Sequence, residues 1–293
     1  MSRRDRGPVG GRREVAAVLL ALLLVLAGCA DGVGAGDDAG GRTVNPALAD
    51  TPTATPTPSG GFPAGVDRGG VTVERVVDAH RAALGNGSWT VAFTRTVIGP
   101  NGTVERSHAR TLVNDSRTLS TFERVRDDHR LTSAHWSNAT AGASRREDWE
   151  GAVSLEGRPG DPGVATRLDP TGGAWLYAAF LDTDPEYAGT ESTDDGTVTV
   201  LRGRAGRIER SGLPDRTSVR LRTRIDADGV IRSLTLRYEV FLGDDPGVVE
   251  IEIRTTSVGS TTVPRPEWVD RALANASADG ETATGTTEAP PDG

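Results

Sequence analysis

An α+β fold built around one antiparallel sheet follows from three features of the sequence. One amphipathic helix opens the regular part of the chain. A long series of short, alternating segments follows, separated by Gly, Asn and Asp turns. The last third holds the clearest of these segments, a three-stranded meander leading into a final short helix. A compact apolar stretch at residues 174–181 interrupts the strands.

The regular part is preceded by an export pattern. Arg12 and Arg13 stand before an unbroken apolar run over residues 15–27, which ends in Leu26-Ala27-Gly28-Cys29. The run is shorter than the roughly 20 residues that a membrane-spanning helix needs, so residues 1–28 read as a signal peptide. Leu-Ala-Gly-Cys resembles the lipobox of prokaryotic lipoproteins, in which cleavage precedes the cysteine and the thiol carries lipid. Cys29 is the one cysteine of the chain, so it has no disulfide partner within it. Two acyl chains at about 0.8 kcal/mol per buried CH₂ would hold the protein firmly in a membrane. The Arg12-Arg13 pair also resembles a twin-arginine export signal. Residues 29–70, rich in Gly and Asp and then in Thr and Pro, cannot bury enough apolar surface to offset ordering entropy, and read as a disordered stalk.

The domain is expected over residues 71–275. Its first element is a helix over 71–84, with Thr72 as N-cap and Gly85 as stop. Val73, Val76, Val77, His80, Ala83 and Leu84 share one face, so His80 is expected to be a buried neutral imidazole. Trp89, Val91 and Phe93 then alternate with Thr90, Ala92 and Thr94, giving a strand that turns at residues 99–102. Strands are expected over 103–113, 117–125, 130–136 and 144–149, carrying much Arg, Thr, Ser and His. Residues 153–168 read as irregular. The stretch 174–181 is apolar all round, which predicts a short helix buried on every side, either as ordinary core or as a mobile plug over a cavity.

A strand is expected over 197–202. Val219, Leu221, Thr223 and Ile225 then alternate up to the turn Asp226-Ala227-Asp228-Gly229. The return strand points Leu234, Leu236, Tyr238 and Val240 inward, and Ile231 breaks that parity, which predicts a bulge near Arg232 and Ser233. Val249, Ile251 and Ile253 face inward on the last strand. Pro264 and Pro266 start a short helix through Leu273, and residues 276–293 read as a disordered tail.

Composition narrows the function. All 33 basic residues are arginine, and beyond residue 28 there remain 28 arginines against 39 acids, a net charge of −11. Such a surface argues against nucleic acid as a partner. An acidic, lysine-free chain resembles proteins of extremely halophilic archaea, with a high-GC bacterium as the alternative. The sequence lacks nucleophile-elbow, zincin, phosphate-loop and Cys/His metal spacings, so no catalytic residues, metal or cofactor are expected. The Asp226-x-Asp228-Gly229 pattern is read as a turn rather than a calcium loop. Asn101, Asn114 and Asn138 lie in predicted turns within glycosylation sequons, and Asn86 and Asn275 also fit the sequon.

Three stretches resemble a family of haloarchaeal lipoproteins of unknown function: residues 76–84 followed by 88–91, the meander 225–234, and the closing Val258-Gly259 … Val263-Pro264-Arg265-Pro266-Glu267-Trp268-Val269. The order of elements is similar to that of LolA, LppX and LprG. That resemblance implies a strongly curved antiparallel half-barrel with helices covering its concave face; with no catalytic motif in the sequence, the protein is expected to be non-enzymatic. The resemblance is one of architecture and carries over no ligand residues; the apolar Trp175–Leu181 segment against a concave sheet is what points to an apolar or amphiphilic ligand, with Trp89, Phe93, Trp175, Tyr177, Phe180, Leu181 and Tyr238 as pocket candidates. The expected location is the outer side of the cell membrane, held there by lipid on Cys29. The alternative is a structural or protein-interaction module of the envelope with no small-molecule ligand.

Overall fold

The computed structural model describes residues 61–85, 87–161, 169–209 and 214–282. The described residues all belong to one compact unit. The rest of the chain, including the leader, Cys29 and the Thr/Pro stretch, lies outside the described residues, as do Asn86 and residues 283–293.

The unit opens on a two-stranded ribbon, β1 (Val66–Asp67) and β2 (Gly70–Val71), and helix α1 (Val73–Leu84). Six strands follow: β3 (Trp89–Gly99), β4 (Gly102–Asn114), β5 (Arg117–Arg126), β6 (His129–Asn138), β7 (Ala141–Glu147) and β8 (Val153–Pro159). Helix α2 (Gly173–Leu181) separates these from β9 (Glu186–Thr193), β10 (Gly196–Ile208), β11 (Arg216–Ile225), β12 (Ile231–Leu242) and β13 (Asp245–Thr256). Helix α3 (Trp268–Thr282) is the last described element. Among the described residues the architecture is mostly β: three helices, the two-stranded ribbon and one eleven-stranded antiparallel sheet, in the order β8-β7-β6-β5-β4-β3-β13-β12-β11-β10-β9. Two meanders therefore run from opposite edges and meet at the centre, where Phe93 of β3 pairs with Ile253 of β13.

The register assigns each residue to a face, because directly paired residues of antiparallel neighbours share one. On the first face stand Trp89, Val91, Phe93, Ile253, Leu234, Leu236 and Leu221. Val76, Val77 and Leu84 of α1 and Leu176 and Phe180 of α2 bury against them. On the second face stand Leu112, Leu119, Trp136 and Ala143, packed under Val263, Val269 and Ala272 of the closing segment. The expected arrangement, with all helices on one face, is thus corrected: α1 and α2 lie on the first face and α3 on the second. The physical reason is parity. Leu112, Leu119 and Trp136 sit out of phase with Trp89 and Phe93, so a separate apolar stripe has to be covered from the other side.

Other expectations also shift. The domain begins before residue 71, since Val66 is buried and Phe62 meets Tyr187 edge-on at 5.0 Å. Thr72 occupies the N-cap but makes no side-chain capping bond, and Gly85 ends α1 with a right-handed φ of −60°. Residues 153–159, read as irregular, form β8. A strand missed in the sequence, β9, pairs with β10. Helix α3 continues through residues 276–282, expected to be tail. Residues 162–168 of the irregular stretch lie outside the described residues. The expected bulge is present: Ser233 pairs with Arg224 while Ile231 pairs with Ile225, leaving Arg232 as the extra residue. Both Ile231 and Leu234 are buried as a result.

Two glycines permit close approach. A Cβ at Gly157 of β8 would stand 2.6 Å from the carbonyl carbon of Ala272 in α3, and one at Gly203 of β10 would stand 2.6 Å from the carbonyl oxygen of Thr183 after α2. Helix α3 at Gly157 and the segment after α2 at Gly203 therefore pack directly on the sheet backbone.

Candidate functional site

Helix α2 decides what the first face can do. Its sequence is apolar throughout, yet it is not buried throughout. Leu176 and Phe180 are fully buried, whereas Trp175 is 39% exposed and Leu181 57% exposed. The expectation of burial on every side is thus corrected. A nine-residue helix on a sheet turns only part of its circumference inward, and the rest meets solvent. The Trp175 ring lies 5.6 Å from that of Phe93, tilted by 40°. Tyr177 donates its hydroxyl to Glu74 Oε1 at 3.2 Å, which ties α2 to α1 and raises the phenol pKa.

The remaining pocket candidates divide. Phe180 and Tyr238 belong to the packed core, and Arg216 stacks its guanidinium 4.9 Å from the Tyr238 ring centre. Trp89 is buried and donates Nε1–H to the Leu84 carbonyl at 2.9 Å. It also borders a recess of about 410 Å³ with Leu84, Val113, Asn114, Pro170 and Thr171. Of the seven candidates, the structure brings Phe93 and Trp175 together at a half-exposed position and holds Trp89, Phe180 and Tyr238 within the core.

His80 is a structural residue. The Ile231 amide donates to Nδ1 at 3.1 Å, so the proton sits on Nε2 and is donated to the Thr171 carbonyl, also at 3.1 Å. The imidazole thus joins α1 to the start of β12 and to the loop entering α2. Burial pushes its pKa down. In the same loop, burial acts to raise the Asp169 carboxyl. Hydrogen bonds from Thr171 and Arg81 outweigh it and hold the group below the usual carboxylate range.

Beyond Phe93 the first face continues onto β4–β6 with a different lining. Phe93 pairs with Ala109, Ala109 with Phe122 and Phe122 with Ser133. One step along the strands, Arg95 pairs with Ser107, Ser107 with Arg124 and Arg124 with Leu131. Ala109, Phe122 and Leu131 belong to neither core cluster. Even so, Glu105, Ser107, Arg124 and Ser137 are buried. Glu105 accepts hydrogen bonds from both Arg95 (2.5 Å) and Arg124. Sequence reading passed over Arg95, Glu105, Arg124 and Phe122. One signal was available: Arg95 falls on the inward parity of Trp89, Val91, Phe93 and Val97, where a charge is out of place.

Asn101 is exposed in the β3–β4 turn. Asn114 and Asn138 direct Oδ1 at backbone amides of Arg117 (2.9 Å) and Ala141 (2.8 Å), leaving Nδ2 outside those bonds. Asp226 Oδ1 accepts the amides of Asp228 and Val230, and Oδ2 meets Arg232 at 2.6 Å, so its oxygens serve the turn. No helix among the described residues is long and apolar enough to cross a membrane.

No curated protein matches the chain. Among solved structures, a LolA superfamily protein from Nitrosomonas europaea aligns over 66% of this chain and 96% of its own, at 12% identity and a TM-score of 0.25. So loose a superposition carries nothing over to this site. The pattern of a family of unknown function (DUF7537) matches residues 14–272, which is most of the chain, and the protein belongs to that family.

Proposed function

We propose that the protein is a lipid-anchored lipoprotein facing outside the cell membrane, whose first sheet face binds an amphiphilic ligand without catalysing a reaction. The observation that carries the binding reading is the Trp175–Phe93 pair. A large ring on a core-packed helix stays 39% exposed and rests on a sheet aromatic. Beside it the same face continues through Ala109 and Phe122, side chains outside both cores. An apolar line bordered by serine, threonine and arginine suits a molecule with a tail and a polar head. The half-barrel shape implied by the order of elements belongs to this proposal, and would shelter such a ligand. Anchoring rests on the Leu26-Ala27-Gly28-Cys29 pattern.

The test is to purify the protein from its own membranes, remove the anchor and identify copurifying lipid by mass spectrometry, in parallel with Trp175→Ala. Bound lipid that is depleted in the variant supports the proposal. Absence of lipid from both forms would count against it.

A second reading, an envelope interaction module without a small ligand, draws on different residues. Phe241 is 67% exposed at the end of β12, and Val104 is 38% exposed on β4 near the β3–β4 turn. Crosslinking on intact cells through these positions would recover a protein partner if this reading holds.

A further inference from the structure

We infer that the amphiphile is anionic and that Arg95 and Arg124 hold its head group; the inference rests on the amphiphile reading above. Register places the two arginines on one line across β3, β4 and β5, with Ser107 between them. The neighbouring line on the same face is Phe93, Ala109 and Phe122. Alternate residues of a strand are about 7 Å apart, so a head group at the arginines leaves a chain free to lie over the aromatic line toward Trp175.

Charge identifies the head. Glu105 is the one carboxylate among the described residues that hydrogen-bonds either guanidinium. The set thus carries one surplus positive charge. Side-chain exposure is 30% for Arg95, 10% for Glu105 and 10% for Arg124. Arg124 Nε is buried and has no hydrogen-bond partner among the described residues. Arg126, opposite Glu105 on β5, is paired with Asp127 at 3.5 Å and leaves the surplus at one. A buried, uncompensated charge is unfavourable, and a guanidinium offers a fork of donors that fits phosphate or carboxylate oxygens.

A contrast sharpens the point. Arg222 and Arg224 share Glu191 on the opposite face, with side chains 42%, 41% and 32% exposed. Arg222 Nε is likewise buried without a hydrogen-bond partner among the described residues, but both arginine side chains and the carboxylate of that set reach solvent. At Arg124 and Glu105 solvent is largely excluded, while Arg95 keeps the set open on one side, where an anion on a lipid head completes it.

The test is calorimetric titration of the full chain carrying Cys29→Ser with three probes: dodecyl phosphate, dodecyl maltoside (both below their micelle concentrations) and inorganic phosphate. Dodecyl phosphate is expected to bind at least about tenfold more tightly than either of the others. Arg124→Gln and Arg95→Gln should each weaken dodecyl phosphate about tenfold and leave dodecyl maltoside unchanged. Glu105→Gln should tighten dodecyl phosphate, a direction that a purely structural ion pair does not give. If Arg124→Gln does not fold, Arg95→Gln, at the more exposed position, carries the same expectation.

Equal binding of dodecyl phosphate and dodecyl maltoside, both lost in Trp175→Ala, overturns the anionic head while leaving the amphiphile reading standing. Inorganic phosphate binding as tightly as dodecyl phosphate overturns the lipid in favour of a free anion. No binding of any probe overturns both.

Discussion

His80 accepts the backbone amide hydrogen of Ile231 on Nδ1 at 3.1 Å, across 151 residues of sequence. The bond exists only while the ring is neutral at that nitrogen, so the joint between α1 and β12 is tied to protonation.

The pH dependence follows with a definite sign. The folded-state pKa of His80 is lowered by burial, so below about pH 6.5 the unfolded chain takes up a proton that the native state refuses. The contribution of His80 is therefore complete above about pH 6.5 and declines as pH falls toward the folded pKa. Asp169 is lowered too, so a further decline sets in below about pH 4. Denaturant midpoints measured from pH 8 to pH 4 should fall for the wild type. For His80→Gln the step between pH 7 and 5 should be smaller, from a baseline lowered by about 1–3 kcal/mol through unsatisfied buried groups. Equal slopes for the two proteins would refute the assignment.

Gly157→Ala tests the seat of α3. The added methyl has to displace backbone of Ala272 and Leu273 rather than a flexible side chain, so a loss of about 1–3 kcal/mol is expected. Hydrogen exchange should locate the weakened protection in α3 and β8. The first-face core, which α3 does not touch, should keep its protection.

Phe180 and Trp175 share a helix and should behave oppositely. Phe180→Ala removes a fully buried ring and should cost about 3–5 kcal/mol in chemical denaturation. Trp175→Ala should cost only about 1 kcal/mol, the worth of one aromatic pair, and should instead reduce ligand retention. Comparable stability losses for both would make Trp175 ordinary core.

Cys29→Ser should leave the unfolding curve unchanged and move the protein from the membrane pellet to the soluble fraction. Retention of the variant in membranes through an uncleaved leader would mean that the lipobox reading is wrong or incomplete.

What the sequence made legible follows from what each pattern encodes. The inward set of β11–β13 and the buried face of α1 were readable because apolar residues recur at the period of the element. The bulge at Arg232 was readable because Ile231 and Leu234 break a period of two. The exposure of Trp175 was not, since a helix that is apolar at every position has no periodicity to mark its outer side. The site for Arg95 and Arg124 was hidden for another reason. These residues lie 29 positions apart and meet only through the register of β3, β4 and β5. The opposite placement of α3 also depends on register. Leu112, Leu119 and Trp136 are scattered among Arg, Thr and Ser, and become one stripe only once the strands are paired.

The pairing of Phe93 with Ile253 has a consequence in time. The β3–β13 ladder spans the middle of the sheet, yet its two strands are made near opposite ends of the unit. While the chain grows on the ribosome, β3 can pair with β4 alone, and its other edge stays open until some 150 further residues have emerged. Contacts of such long sequence separation form slowly. The central seam therefore joins only after synthesis has passed Thr256, and until then each meander carries one unpaired inner edge.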